Sequence, residues 1–468
     1  MRLFLTLSTF FIVLLSQGQN KQLLFNVDDL PQTLMSNPGA HINFDAHFGI
    51  PLISHLNISA GSSGVNLHDI FDDSNPNVNA RVTNNINRLS SKDYFTAREQ
   101  LEILSLGWRL NKDDYFSAGI YQEMDLFAYF PKDPAVLVSQ GNANYINVPF
   151  DFSHVSFSGE VLTVYHLGLN RIIDHKLTVG ARLKMYSGIF NVESVNNTGI
   201  FLTRNTPDGP NYYRHFVQNM DVRVNTAGFT TLRDANQTVQ EASKDLLSKS
   251  FFGGNIGTGV DLGATYKLQD NLIITGSIQD LGLMFQRDDV ENYTYTGSYQ
   301  TDGIEPLFPE IGPDGVALPY WDEFEDEVDR NLVDKTLNES YVTWRPFQLN
   351  ASIQFGFGEN CPPCDYRVRT QKIYQNKVGI QVFGIKRPGA LKYALSTYFD
   401  TMVIPNIRFK VAYTLDDFSY TNVGLLVSTR RKKFNFYLAA DNLFGYINLA
   451  KSGYQSVQMG FQFIINKE

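Results

Sequence analysis

Basic side chains recur at alternate positions within runs that are otherwise apolar. Arg182 and Lys184 sit among Ala181, Leu183 and Met185, and Arg408 and Lys410 among Ile407, Phe409 and Val411. Arg109 follows Trp108 and Lys267 follows Tyr266 in the same way. Successive strand residues point to opposite sides, so this spacing gathers the charges on one face and the apolar groups on the other. Glu123, Asp125 and Asp261 fall on the charged face too. Rings of charge inside a pore select ions or bind anionic groups. The same residues also serve as paired filling of a closed lumen, together with Asp28 and Asp29 upstream. Paired filling is the preferred reading, because an unpaired buried charge is expensive.

Other residues with chemical potential give weaker signals. Cys361-Pro362-Pro363-Cys364 holds both cysteines of the chain. In an oxidising envelope Cys361 and Cys364 suit a small disulfide loop. Redox chemistry would need the pair at the start of a helix, and the two prolines oppose that. Asp322 to Asp329 is densely acidic and lacks the glycine of an EF-hand loop. A solvated loop is the main reading there, with a cation or a protein partner left open. Arg430 to Lys433 suits a solvated turn or contact with lipid phosphate. No metal-ligand spacing, nucleophile elbow or cofactor motif is present, so no catalytic residue, metal or cofactor is expected. The net charge of −9 argues against nucleic acid as a partner.

The elements that must carry these residues are strands. From Ser456 to Ile465, Val457, Met459, Phe461, Phe463 and Ile465 alternate with polar or small residues. Met1 to Gly18 reads as a secretory signal, with Arg2 before an apolar run too short to span a membrane. Export and repeated two-faced strands predict an all-β membrane fold: a single antiparallel transmembrane β-barrel in a bacterial outer membrane. Strands are expected near 42–60, 98–111, 114–129, 159–171, 175–189, 256–267 and 271–283. The second half adds 347–357, 376–385, 390–400, 405–415, 420–429, 433–442 and 453–465. Pro51 could split the first run, but both termini in the periplasm require an even number, so fourteen is the expectation. The long loops, 61–97, 130–158, 190–255 and 284–346, then fall on one side and most short turns on the other. The division is therefore 1–18 signal peptide, 19–41 hatch or plug, and 42–468 barrel. Asn37 and Pro38, in Ser36-Asn37-Pro38-Gly39-Ala40, carry the turn signal of that hatch. An ordered periplasmic lead-in is the alternative.

The Asn-Pro-x-Ala pattern at Asn37–Ala40 resembles the hatch entry of the long-chain fatty-acid transporter family, from which it departs by the inserted Gly39. The layout is similar to that of uncharacterised Bacteroidota outer-membrane barrels, including the PorV and PorP/SprF proteins. That second likeness rests on Ser16–Gln19, Asp29–Ala40, Ser277–Gly282 and Ala440–Gly445. It implies a non-enzymatic accessory or scaffold of an envelope machine, for secretion, gliding or outer-membrane protein assembly. Its partners would be outer-membrane lipid and other envelope proteins. The first likeness implies the alternative, a hatch-gated transporter or channel for small amphipathic molecules. The inward faces show no continuous apolar stripe, so an apolar pocket would have to be built from the hatch and loops.

Overall fold

The computed structural model describes residues 22–71, 77–207, 212–230, 238–301, 330–360, 373–404 and 406–466. The expected signal peptide, Cys361, Cys364 and the acidic run Asp322–Asp329 lie outside the described residues.

Fourteen antiparallel strands close a barrel. β1 comes in two stretches, Ala46–Gly49 and Leu56–Ser62, followed by β2 (Tyr94–Arg109), β3 (Asp114–Tyr129), β4 (Phe157–Ile172) and β5 (Leu177–Ser194). Next come β6 (Asn255–Gln269), β7 (Leu272–Gln286) and β8, again in two stretches, Tyr341–Trp344 and Gln348–Asn360. The wall continues through β9 (Ile373–Arg387), β10 (Ala390–Ile404), β11 (Ile407–Leu415), β12 (Asn422–Arg431), β13 (Phe434–Asp441) and β14 (Tyr454–Ile465). Closure pairs Ala46 with Ile465 and Leu56 with Met459, so both stretches of β1 occupy one position between β2 and β14. Pro51 interrupts this strand without dividing it, as the parity argument requires. Proline cannot donate to a ladder, and the chain bulges there instead, with Leu52 at φ 68°.

Alternation sorts the side chains. Leu167, Leu183, Met185, Ile353, Ile380 and Val411 lie on the outer surface, while Arg182, Lys184, Asp261, Arg408 and Lys410 are buried inside. An Arg or Lys on the lipid face at mid-membrane costs about 2–4 kcal/mol, so this register is strongly preferred. No helix of the described residues is long and apolar enough to cross a membrane; the crossing is made by strands.

The long loops carry a second sheet that sequence reading missed. Thr198–Asn205, Tyr213–Ala227, Val290–Thr301 and Leu332–Leu337 pair in that order. The sheet grows from the barrel itself, because Asn191–Ser194 at the outer end of β5 pair with Ala227–Val224. Alongside it, Val239–Ser250 forms a helix with a capping box between Thr238 and Glu241.

Both Ser277–Gly282 and Ala440–Gly445 hold Asp and Gly, residues that favour a strand-ending turn, but the first does not end its strand. β7 runs on to Gln286, and Asp280 takes φ 58° at an irregularity where the register against β6 shifts between Val260 and Leu262. Gly282 keeps ordinary strand geometry. The other phrase does end its strand, at Asn442 with φ 54°.

Candidate functional site

Residues 22–44 lie inside the barrel and fill the end of it nearest the short turns. The root of this hatch is apolar. Leu23, Leu24, Val27 and Leu30 are buried with Tyr398, Ala412, Leu426, Tyr437 and Ala439 of the wall. Burying four such side chains stabilises the root by roughly 6–12 kcal/mol, at about 1.5–3 kcal/mol each. Polar bonds add to it. Lys377 pairs with Asp28 at 2.7 Å and Arg408 with Asp29 at 2.6 Å, while Arg408 also meets Asp400 at 2.8 Å. Lys410 donates to the Phe25 carbonyl at 2.6 Å and stands over the Tyr398 ring at 4.2 Å. Arg109 pairs with Asp45 at 3.3 Å and donates to the carbonyls of Ile42 and Phe44. Lys267 is half-buried on β6.

The tip is held differently. Asn170 donates to the carbonyls of Pro38 (2.8 Å) and Ala40 (2.9 Å), Asn37 donates to Thr265 (3.4 Å), and Ser277 donates to the Ser36 carbonyl (2.7 Å). Arg182 donates to the Leu34 carbonyl and Gln279 to that of Ser36. Gly180 on β5 pairs directly with Gly263 on β6. Together they form a notch for Asn37-Pro38-Gly39: a Cβ on Gly180 would stand 2.0 Å from the Pro38 oxygen, and one on Gly263 2.0 Å from Asn37 Oδ1. Only glycine lets two backbones approach this closely.

Beyond the tip the lumen is crossed by a larger charge network. Lys184 meets Asp261 at 2.8 Å and Asp280 at 2.7 Å, and Arg182 meets Asp261 at 3.5 Å. Arg98 contacts Asp125 at 2.7 Å and Glu123 at 3.2 Å, Arg345 contacts Glu123 at 3.3 Å and also pairs with Glu160, and Arg387 pairs with Asp125. Five bases thus face five acids, Glu123, Asp125, Glu160, Asp261 and Asp280, and the network is formally neutral. Buried pairs of this kind offset each other's desolvation, whereas a lone member would be strongly unfavourable. At the outer rim, the Lys392 ammonium stands 4.2 Å from the Tyr94 ring centre and 5.4 Å from that of Tyr129, and Phe127, Phe418 and Tyr454 complete an aromatic cap.

Between the tip and this network lies a small cavity of about 20 Å³, bounded by Met35, Ser36, Gln100, Tyr121, Glu123, Lys184, Gln279, Asp280, Gln348, Asn350 and Phe383. That is room for about one water molecule. Met35 packs from the hatch side against Tyr121, Leu162, Val164, Tyr186 and Met284.

Of the residues singled out in the sequence, Arg182 and Lys184 enter the larger network, Arg408, Lys410 and Arg109 hold the hatch, and Asn37 and Pro38 form its tip. Arg98, Arg345, Arg387, Glu160 and Asp280 were missed. Arg98 and Glu160 alternate with apolar residues only irregularly, and Arg345 lies between the two stretches of β8. The glycine notch left no sequence signal beyond two unremarkable small residues.

No curated protein matches the chain. Among solved structures, the toluene transporter TbuX of Ralstonia pickettii is similar at 12% identity and a TM-score of 0.39, over 94% of this chain and 95% of that one. The Pseudomonas putida toluene transporter TodX matches at 12% identity and 0.39, over 97% and 96%. A Pseudomonas aeruginosa FadL homologue matches at 9% identity and 0.43, over 96% and 97%. Likeness at this level says nothing of a ligand. A family model described as a family of unknown function (DUF5723) matches residues 38–441, and the chain belongs to that family.

Proposed function

We propose that the protein is a gated outer-membrane channel for small molecules, closed in this state by the N-terminal hatch. One observation carries the reading. The end of the lumen nearest the short turns is filled by a separate segment, joined to the wall covalently only at its C-terminal end and held at its tip by hydrogen bonds. The energies divide the hatch into a fixed and a movable part. Root burial of roughly 6–12 kcal/mol opposes wholesale exit. The tip bonds contribute about 0.5–1.5 kcal/mol each and can exchange for bonds to water. Opening is therefore a displacement of residues 35–39, with the root and the buried side chains of Leu34, Ala40, Ile42 and Phe44 in place.

Planar-bilayer recording tests this. The intact protein should be largely silent, and the Gly180→Ala/Gly263→Ala variant should conduct. Equal silence from a folded double variant would refute gating by the tip. The second reading, an accessory of an envelope machine, draws support from the sheet that extends β5 above the membrane. It predicts stoichiometric envelope proteins on gentle extraction from native membranes, and purification of the barrel alone would count against it.

A further inference from the structure

We propose that the cavity beyond the hatch tip is the closed form of a binding site for a small, neutral, polyhydroxylated solute. This deepens the channel reading and rests on it. The walls are polar where a pocket for apolar molecules would be greasy. Gln100 lines the cavity and is 4% exposed, and its Oε1 has no hydrogen-bond partner among the described residues. Glu123 and Asp280 add carboxylate oxygens, and Gln348, donating to Asp280 at 3.3 Å, adds an amide. The Gln100 oxygen demands an O–H or N–H donor from the occupant, because a buried acceptor left unpaired costs about 1–3 kcal/mol, and the paired carboxylates can accept further hydrogen bonds. Tyr121 and Phe383 supply flat apolar surface beside those oxygens, suited to the C–H face of a sugar-like molecule.

Charge sets the rest of the specificity. The five bases and five acids around the cavity cancel, so a solute with net charge would bring an uncompensated ion into a balanced low-dielectric site. An apolar solute would leave the Gln100 oxygen without a partner. A neutral solute with several hydroxyls meets both conditions. In the closed state Met35 and Ser36 occupy the space it needs, and withdrawal of the tip enlarges the cavity on the hatch side.

Proteoliposome swelling with arabinose and with sodium gluconate, set beside N-phenylnaphthylamine uptake by cells expressing the protein, tests the assignment. In the Gly180→Ala/Gly263→Ala variant, arabinose should enter at least about tenfold faster than in the unaltered protein. Gluconate should lag, and Gln100→Leu in that background should slow arabinose. Entry of the apolar probe without arabinose would overturn the polyol site and leave the gated channel standing. Entry of neither, with the tip shown to be displaced, would overturn both.

Discussion

Replacing Gly180 by alanine adds one methyl group at the point where the hatch tip meets the wall. Its carbon would lie 2.0 Å from the Pro38 oxygen and 2.2 Å from the Pro38 carbonyl carbon, distances that no Cβ tolerates. The wall is held by the ladders of β4, β5 and β6, so the tip must retreat by about 1 Å. A hydrogen bond of 2.8 Å stretched by that amount is lost. The Asn170 bonds to Pro38 and Ala40 go together, and the longer Asn37 bond to Thr265 goes with them. Three bonds at about 0.5–1.5 kcal/mol amount to roughly 3 kcal/mol, which raises the undocked population about 100-fold. Hydrogen exchange read by mass spectrometry should show protection of residues 37–40 falling by about that factor. The Phe25 and Leu30 amides, bonded to the carbonyls of Gln22 and Val27, should stay protected. Gly276→Ala is the control, since a Cβ there meets only the Asn350 carbonyl at 3.9 Å. Unchanged protection at 37–40 in folded Gly180→Ala would refute the notch as the tip's seat. Equal loss at the root would refute the division into root and tip.

Three further outcomes follow from the same geometry. Asp125→Asn leaves Arg98 and Arg387 short of a buried carboxylate and should cost about 3–5 kcal/mol in a denaturant titration of the detergent-solubilised barrel. Leu183→Arg, on the lipid side of β5, should lower folding stability in liposomes by about 2–4 kcal/mol if that position lies near the midplane. Burial alone would lower the pKa of Lys249, but its bonds to Asp245 and Asp289, both 2.9 Å, raise it above the usual lysine value. A raised folded-state pKa contributes stability that is full below the unfolded value of about 10.4 and lost as pH rises through the folded one. Proteolysis of the segment around Val239–Ser250 should therefore be flat at neutral pH and accelerate above about pH 10.5.

The barrel was legible because lipid enforces a period of two wherever a strand crosses. Leu177–Tyr186 and Ile407–Thr414 could be assigned face by face, and the count of fourteen followed from parity at Pro51. The surface sheet was not legible. Tyr213–Ala227 and Val290–Thr301 owe their pairing to one another and to a small cluster around Met220, Tyr299 and Leu332, not to a lipid boundary. At the site, a charge such as Lys184 stands out against apolar neighbours and shows its face, but not which acids it will meet. Asp280 reaches that network through a positive φ in mid-strand, which an Asp-Leu-Gly phrase signals only as a turn. The notch was hidden for a related reason: Gly180 and Gly263 become partners only once β5 and β6 are in register.

The hatch also constrains the order of assembly. It precedes the barrel in sequence, yet its partners are spread over both halves of the chain: Asn170 and Arg182 in the first, Thr265, Ser352, Lys377, Arg408 and Lys410 in the second. The seam that closes the wall joins residues 46–49 to 462–465, almost the full length of the chain. Contacts of such separation form late, because the entropy of a very large loop must be lost first. The segment that precedes the first strand therefore acquires its complete set of bonds last, when the C-terminal strands arrive.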